Sequence, residues 1–311
     1  MAAALALAER GRGRTFPNPN VGCVIVKAGR VIGRGWTQAG GRPHAEAMAL
    51  DAAGASAAGA DLYATLEPCA HESPRGPACA DLIVAARPAR VIVAYPDPDP
   101  RTDGRGIACL RAAGIEVIEG VARAEAARSM AGFLTRRRLG RPHVTLKLAL
   151  SLDGAAALGD GRSQWITGPE ARAHTHLERS RHEAILVGRG TLEADAPRLD
   201  VRLPGLEDRS PTRVLLSATP QAGWLTIASP EAIASLPCDH LFVEGGARTA
   251  AAFLAADLVD RLLLYRAPIL VGGGRTLPDF GIADLTQAHG RWRLEDARAL
   301  GSDRLEVYAR S

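Results

Sequence analysis

The chain has 311 residues, about twice the usual domain length, so two domains are expected. Its 47% hydrophobic and 23% charged residues are ordinary for a globular protein, and no apolar run is long enough for a membrane span. A net charge of +4 on scattered arginines, with 4% aromatic residues, argues against a nucleic-acid-binding surface, and five cysteines are too few for a disulfide framework.

The first segment, MAAALALAERG, reads as a helix. Its charges follow a short apolar run instead of preceding it, the wrong order for a secretory signal, so a cytoplasmic protein is expected. VGCVIVKAGRVIGRGW reads as two strands around an Ala-Gly turn. PHAEAMALDAAGA is helical, with Pro43 just before it and Gly54 near its end. ADLYATLEP is a strand that stops at a proline, and CADLIVAARPARVIVAY gives a helix and then a buried strand. Residues 96–106, PDPDPRTDGRG, read as loop, and IACLRAAGIEVIEG adds a helix and a strand. This alternation argues for a three-layer α/β domain over residues 1–142. The basic run 136–138 reads as a solvated helix end.

A second domain is expected over 143–311. HVTLKLALSLDG alternates, with Val144, Leu146, Leu148, Leu150 and Leu152 on one face and Thr145, Lys147, Ala149, Ser151 and Asp153 on the other. EAILVG, TRVLLS, HLFVEGG and RLLLYRAPILVGG read as further strands with helices between, and the tail as an antiparallel hairpin.

His44 and Glu46 are two positions apart, and on a helix such residues do not share a face. Downstream, TLEPCAHESPRGPACADL places Cys69 after a strand and Cys79 at the start of a helix. One His and two Cys are a ligand set suited to zinc, and three protein ligands leave a fourth position for water, whose pKa zinc lowers. Glu46, not a ligand, then relays protons, the arrangement of zinc nucleobase deaminases. A structural zinc would take a fourth protein ligand, for which His71 and Cys23 are the candidates.

PNPNVGCVIVK, GRPHAEAMAL, TLEPCAH and DPDPRTDGRG together resemble the deaminase half of the bifunctional riboflavin-biosynthesis deaminase/reductases. The resemblance implies a cytidine-deaminase-like fold, zinc on His44, Cys69 and Cys79, and Glu46 as proton shuttle. It also implies that Asn20 and His71 contact the pyrimidine and sugar and that Arg75 contacts the phosphate. The loop between the cysteines is one residue longer than the commonest family form, and Asp99 stands where an amide often sits.

The second half has no G-x-G-x-x-G, but LVGRGTLEAD and FVEGGARTAAAFL place Gly188, Gly190, Gly245 and Gly246 in strand-to-helix turns. KLALSLDG, GRSQWIT, LEADAPRLDVR, LFVEGG and APILVGGG resemble the family's reductase half. That implies a dihydrofolate-reductase-like fold using NADPH, contacted by Ala149, Trp165, Thr191, Asp195, Ser217, Gly245 and Gly246. Ser163, Arg179, Leu199, Arg202 and Glu244 would contact substrate, and Lys147 would assist proton transfer or orient it; otherwise Lys147 is a lysine on a solvated strand edge. Ala196 stands where a second Asp is common, and between VLLS and HLFVEGG the chain is much shorter than many relatives, a loss that reads as loop and peripheral structure because the strands on both sides survive. The expectation is an enzyme that deaminates and then reduces phosphoribosylaminopyrimidines, binds neither nucleic acid nor membrane, and assembles as a homo-oligomer. The alternative is a deaminase whose C-terminal half is inactive or only binds.

Overall fold

The apolar N-terminal run forms helix α1 (Ala2–Ala8), and the next two apolar stretches pair as an antiparallel hairpin, β1 (Gly22–Lys27) and β2 (Arg30–Trp36). The structure is a computed structural model that describes residues 1–71 and 73–311. The chain continues through α2 (Ala45–Ala53), β3 (Asp61–Ala64), α3 (Cys79–Ala86), β4 (Arg90–Val93), α4 (Arg105–Ala112), β5 (Glu116–Glu119), α5 (Arg123–Ser129) and α6 (Ala131–Leu139). The strands form one sheet in the order β2-β1-β3-β4-β5, in which β3, β4 and β5 run parallel. Together they make a first unit, Met1–Gly140.

Glycines set how close the helices come. A Cβ on Gly22 would lie 1.9 Å from the Ala4 carbonyl oxygen of α1, and one on Gly35 would lie 2.1 Å from that of Ala45 in α2. Gly22 pairs with Trp36 and Gly35 with Cys23, so the two glycines, one pair apart, face opposite sides of the sheet. Helices therefore cover both faces, and the unit is a three-layer α/β fold as expected. Two boundaries differ from the sequence reading. β3 ends at Ala64, well before Pro68, and α4 begins at Arg105, inside the stretch read as loop.

The second unit, Arg141–Ser311, contains β6 (His143–Leu150), α7 (Pro169–Arg179), β7 (Ala184–Gly188), α8 (Arg189–Asp195), β8 (Thr212–Leu216), β9 (Leu225–Ile227), β10 (His240–Val243), α9 (Ala247–Ala255), β11 (Arg261–Arg266), α10 (Leu285–Ala288), β12 (Trp292–Leu300) and β13 (Asp303–Arg310). The sheet order is β12-β13-β11-β6-β10-β7-β8-β9, parallel from β11 to β9, with the C-terminal hairpin running antiparallel beside β11. Alternate residues feed two cores. Val144, Leu146, Leu186 and Val243 pack with Phe253 of α9, whereas Ile185, Val187, Phe242 and Tyr265 pack with Ala171 of α7.

β6 is central, so Lys147 is not on a solvated edge. The strand stops at Leu150, and Leu152, expected on the apolar face, is 57% exposed in the turn beyond. RLLLYRAPILVGG is strand only through Arg266. The compact 218–239 segment supplies edge strand β9 and buries Ile227, Ile233 and Leu236. Among the described residues, no helix is long and apolar enough to cross a membrane.

Gly35→Ala should push α2 off the sheet and with it His44 and Glu46. The clash is with backbone, which cannot rotate away, so a cost of about 1–3 kcal/mol or more is expected. In calorimetry of the full chain, the transition of the first unit should fall on the order of 5–10 °C, and the variant should retain less zinc than wild type. Unchanged melting and zinc content would show that the close approach has no such role.

Candidate functional site

His44 is the N-cap of α2, with extended backbone (φ −74°, ψ 161°), and Glu46 lies in the helix's first turn. The cap residue therefore leaves the helix direction, and two side chains that would diverge within a helix serve one site. Cys79 opens α3, and Cys69 sits on the segment leading from β3 towards it. His44 Nδ1 lies 3.3 Å from Cys79 Sγ and 3.6 Å from Cys69 Sγ, and the Cys79 backbone N–H donates to Cys69 Sγ at 3.2 Å. The three ligand atoms all lie within 4.8 Å of one another. Donation from the Cys79 thiol, helped by His44 and the Cys79 N–H, holds the Cys69 thiol well below its usual range. The contact with Cys69, together with burial, pushes the Cys79 thiol up, so the pair favours one thiolate, and a His and two Cys at this spacing fit a zinc ion that would ionise the second.

Glu46 is 3% exposed beside this cluster, and burial raises its carboxyl above the usual range. His44 Nε2 faces the Asn18 amide at 3.0 Å, which orients the ring. Neither suggested fourth ligand belongs to the ligand cluster; His71 meets Thr102 Oγ1 at 3.5 Å, and Cys23 is buried on β1. The cluster opens into a cleft of about 150 Å³ lined in part by Asn18, Glu46, His71, Arg75, Asp97 and Asp99.

Asn20 requires a correction. It is 2% exposed, and its amide donates to Ser129, so it is held away from the cleft, while Asn18, two residues earlier, lines it. PNPN contains both asparagines, and spacing alone does not choose between them. The basic run is also not simply solvated. Arg137 lines the cleft and reaches Asp99 at 3.0 Å, and Arg138 bonds the Tyr95 hydroxyl. Asp99 takes a second, two-pronged contact from Arg101, which holds its carboxyl well below the usual range, whereas burial pushes Asp97 up to about 6. Arg75 donates to the Gly40 carbonyl at 2.8 Å on the cleft's rim. Glu67, unremarked in the sequence, accepts from the N–H groups of Asp97, Gly104, Gly106 and Ile107. It fastens the proline-rich loop and the start of α4 beside the cysteines.

In the second unit the chemistry gathers past the C-terminal end of β10. Val243 pairs with Leu146, so Glu244 arrives level with Lys147. Its carboxylate lies 3.8 Å from Lys147 Nζ and 2.7 Å from Arg179 Nη2. Burial lowers the Lys147 ammonium below its usual range, and the Glu244 charge opposes that fall. Ala149 lies two residues along β6, on the same face. Thr191 Oγ1 accepts from the Gly246 N–H at 3.2 Å, tying the start of α8 to the Gly245–Gly246 turn. Asp195 accepts from Gln164 at 3.4 Å, next to Trp165, which is 66% exposed under the Arg172 guanidinium. Ser163 lies half-buried in the same turn.

Two expected substrate residues do not converge. The Leu199 side chain is buried in the core, and Arg202 is exposed and turned to Asp200. Arg179 and Arg202 do not confront each other, because Arg179 is held by Glu244 and the Asp200 carbonyl.

Comparison with known proteins agrees with both halves. The cytidine and deoxycytidylate deaminase zinc-binding region matches residues 1–95, and the RibD C-terminal domain matches residues 142–305. The riboflavin biosynthesis protein RibD of Escherichia coli is 39% identical over 97% of this chain and 96% of its own, and that of Aquifex aeolicus is 37% identical over 100% and 97%. Among solved structures, RibD of Acinetobacter baumannii (35% identity, TM-score 0.88) covers all of this chain and is itself covered to 97%. A diaminohydroxyphosphoribosylaminopyrimidine deaminase/5-amino-6-(5-phosphoribosylamino)uracil reductase from Thermotoga maritima does the same at 32% identity and a TM-score of 0.91. The chain therefore belongs to the RibD family of bifunctional riboflavin-biosynthesis deaminase/reductases.

Proposed function

We propose that residues 1–142 deaminate 2,5-diamino-6-(5-phosphoribosylamino)pyrimidin-4-one and that residues 143–311 reduce the ribosyl chain of the product to ribityl. Zinc and NADPH are the cofactors of the two reactions. The observation that carries the reading is the convergence of His44, Cys69 and Cys79 beside buried Glu46.

Zinc on His44, Cys69 and Cys79 supplies the Lewis acidity that lets water ionise near neutral pH. Glu46 takes the proton from the attacking water and delivers it to the pyrimidine ring nitrogen and then to the departing amine. Its burial favours the protonated form, which suits the second half of that relay. Asn18 and His71 face the space in which the ring and sugar would lie, and Arg75 and Arg137 supply positive charge for the phosphate.

In the second reaction NADPH supplies the reducing equivalent. As the anomeric carbon is reduced, its bond to the sugar ring oxygen breaks, and Lys147 Nζ provides the proton that oxygen needs. Glu244 holds the ammonium in place and keeps it charged against its own burial. Arg179 shares that carboxylate and leaves the pocket net positive, which favours an anionic sugar phosphate. Compartment and assembly in the proposal remain the expected cytoplasmic homo-oligomer.

Glu46→Gln should retain zinc while deamination falls by about 10²–10⁴-fold. Ammonia release measured beside metal content tests this, and near-normal release would remove Glu46 from the relay. Glu244→Gln should depress NADPH oxidation and leave ammonia release unchanged. The same variant removes the charge that raises the Lys147 pKa, and the working acid is the protonated form. The alkaline fall in reductase kcat/KM should therefore move to lower pH, and an unmoved limb would exclude Lys147 as the acid.

A further inference from the structure

The cofactor reading includes Ser217 but gives no role to the arginine that binds it. Gly188, the last residue of β7, pairs with Leu216, the last of β8, so Arg189 and Ser217 emerge side by side from the C-terminal edge of the sheet. Arg189 Nε and Nη2 both donate to Ser217 Oγ, at 3.2 and 2.9 Å, and the Thr219 backbone N–H donates to the same oxygen at 3.0 Å. Nη2 also reaches the Thr219 carbonyl at 2.6 Å, and Nη1 reaches Gln221 Oε1 at 3.2 Å. Three N–H donors thus converge on one neutral hydroxyl oxygen that has two lone pairs. An anionic oxygen satisfies such a group better than a hydroxyl does.

The surroundings contain little negative charge to compete. No acidic residue occurs from Arg209 to Pro230, the stretch that holds β8 and the loop after it. Glu193 approaches Arg189 only to 4.0 Å and is 68% exposed, a contact of small energetic consequence. By contrast, Arg141, Arg179 and Arg261 each meet a carboxylate at 2.7 Å. In Rossmann sites, a different fold facing the same choice, an acid holds the ribose 2′-hydroxyl of NADH and an arginine accommodates the 2′-phosphate of NADPH. Here the strand end offers Ser217 and Arg189.

Spacing fits the same ligand. β6, β10, β7 and β8 are successive strands, so β8 lies about 14 Å across the sheet from β6, which carries Lys147. A dinucleotide reduced at the Lys147–Glu244 end and laid along the C-terminal edge past Gly246 and Thr191 brings its adenosine ribose to Arg189 and Ser217.

We infer that Arg189, with Ser217 and the Thr219 N–H, binds the 2′-phosphate of NADPH and sets the preference for NADPH over NADH. This rests on the assignment of the Glu244–Gly246 and Ser217 edge to the dinucleotide. The guanidinium turns from Gln221 to the phosphate and keeps its contact with Ser217.

Calorimetric titration of the full chain with 2′,5′-ADP and with 5′-ADP reads the 2′-phosphate separately from turnover. Wild type should bind 2′,5′-ADP at least tenfold more tightly than 5′-ADP. Arg189→Ala should remove most of that ratio through weaker 2′,5′-ADP binding, and Arg189→Lys, which keeps the charge but loses the fork, should fall between. The KM ratio of NADH to NADPH should drop in the same order. An intact preference for 2′,5′-ADP in both folded variants would overturn the role of Arg189 while leaving the dinucleotide site standing. Failure of wild type to bind either adenosine phosphate or NADPH at this edge would overturn both.

Discussion

The backbone-to-backbone approach of α2 onto the glycine face of β2 governs what the first unit can do. With no Cβ at Gly33 or Gly35, the helix lies against the strand, and a side chain there would meet the Ala49 or Ala45 carbonyl within 2.2 Å. The depth of that seat determines where His44 leaves the chain, since His44 is the residue immediately before the helix. The N-terminus of α3 is brought to the same place, and its first N–H and first side chain both meet Cys69. A cap residue in extended conformation and a first-turn glutamate can thus serve one centre although they are two positions apart. The first N–H of α3 donates to the Cys69 sulfur and favours its thiolate, whereas contact with that sulfur, together with burial, pushes the Cys79 thiol up, so the pair carries one negative charge before a cation arrives.

The second unit solves a different problem, that of keeping an ammonium charged inside a protein. Lys147 projects from a central strand whose neighbours on both sides are paired, so burial presses it towards the neutral form. A single carboxylate, Glu244, serves both Lys147 and Arg179. Removing one member of a buried ion pair costs more than the pair itself contributes. Two cations thus share one carboxylate, which is the charge balance the proposed anionic substrate would complete.

Sequence and structure agree where the signal is local. The hairpin at 22–36, the helix after His44 and its end at Gly54, and the alternation through β6 follow from periodicity and turn residues, and the structure has them. His44, Cys69 and Cys79 were legible because ligand chemistry restricts residue type. The choice between Asn18 and Asn20 was not, since both are amides in one tetrapeptide and only the packing of Asn20 against Ser129 separates them. Nothing in the sequence signals the Arg137 contact, because a helix C-terminus accounts for a basic run by itself and the partner Asp99 lies far away in sequence. Glu67 likewise acts through backbone N–H groups, which carry no residue signature. The core role of Ile227 and Ile233 carries no periodic signature, because β9 is only three residues long.

The central claim is that the first unit holds a zinc with three protein ligands and one position left for water. X-ray absorption at the zinc edge, on full-length protein of known metal content, addresses the coordination directly. The account predicts two sulfur neighbours at about 2.3 Å and two lighter neighbours at about 2.0–2.1 Å, one an imidazole and the other exchangeable with solvent. A shell closed by a fourth protein ligand, or zinc bound without both thiolates, would contradict it.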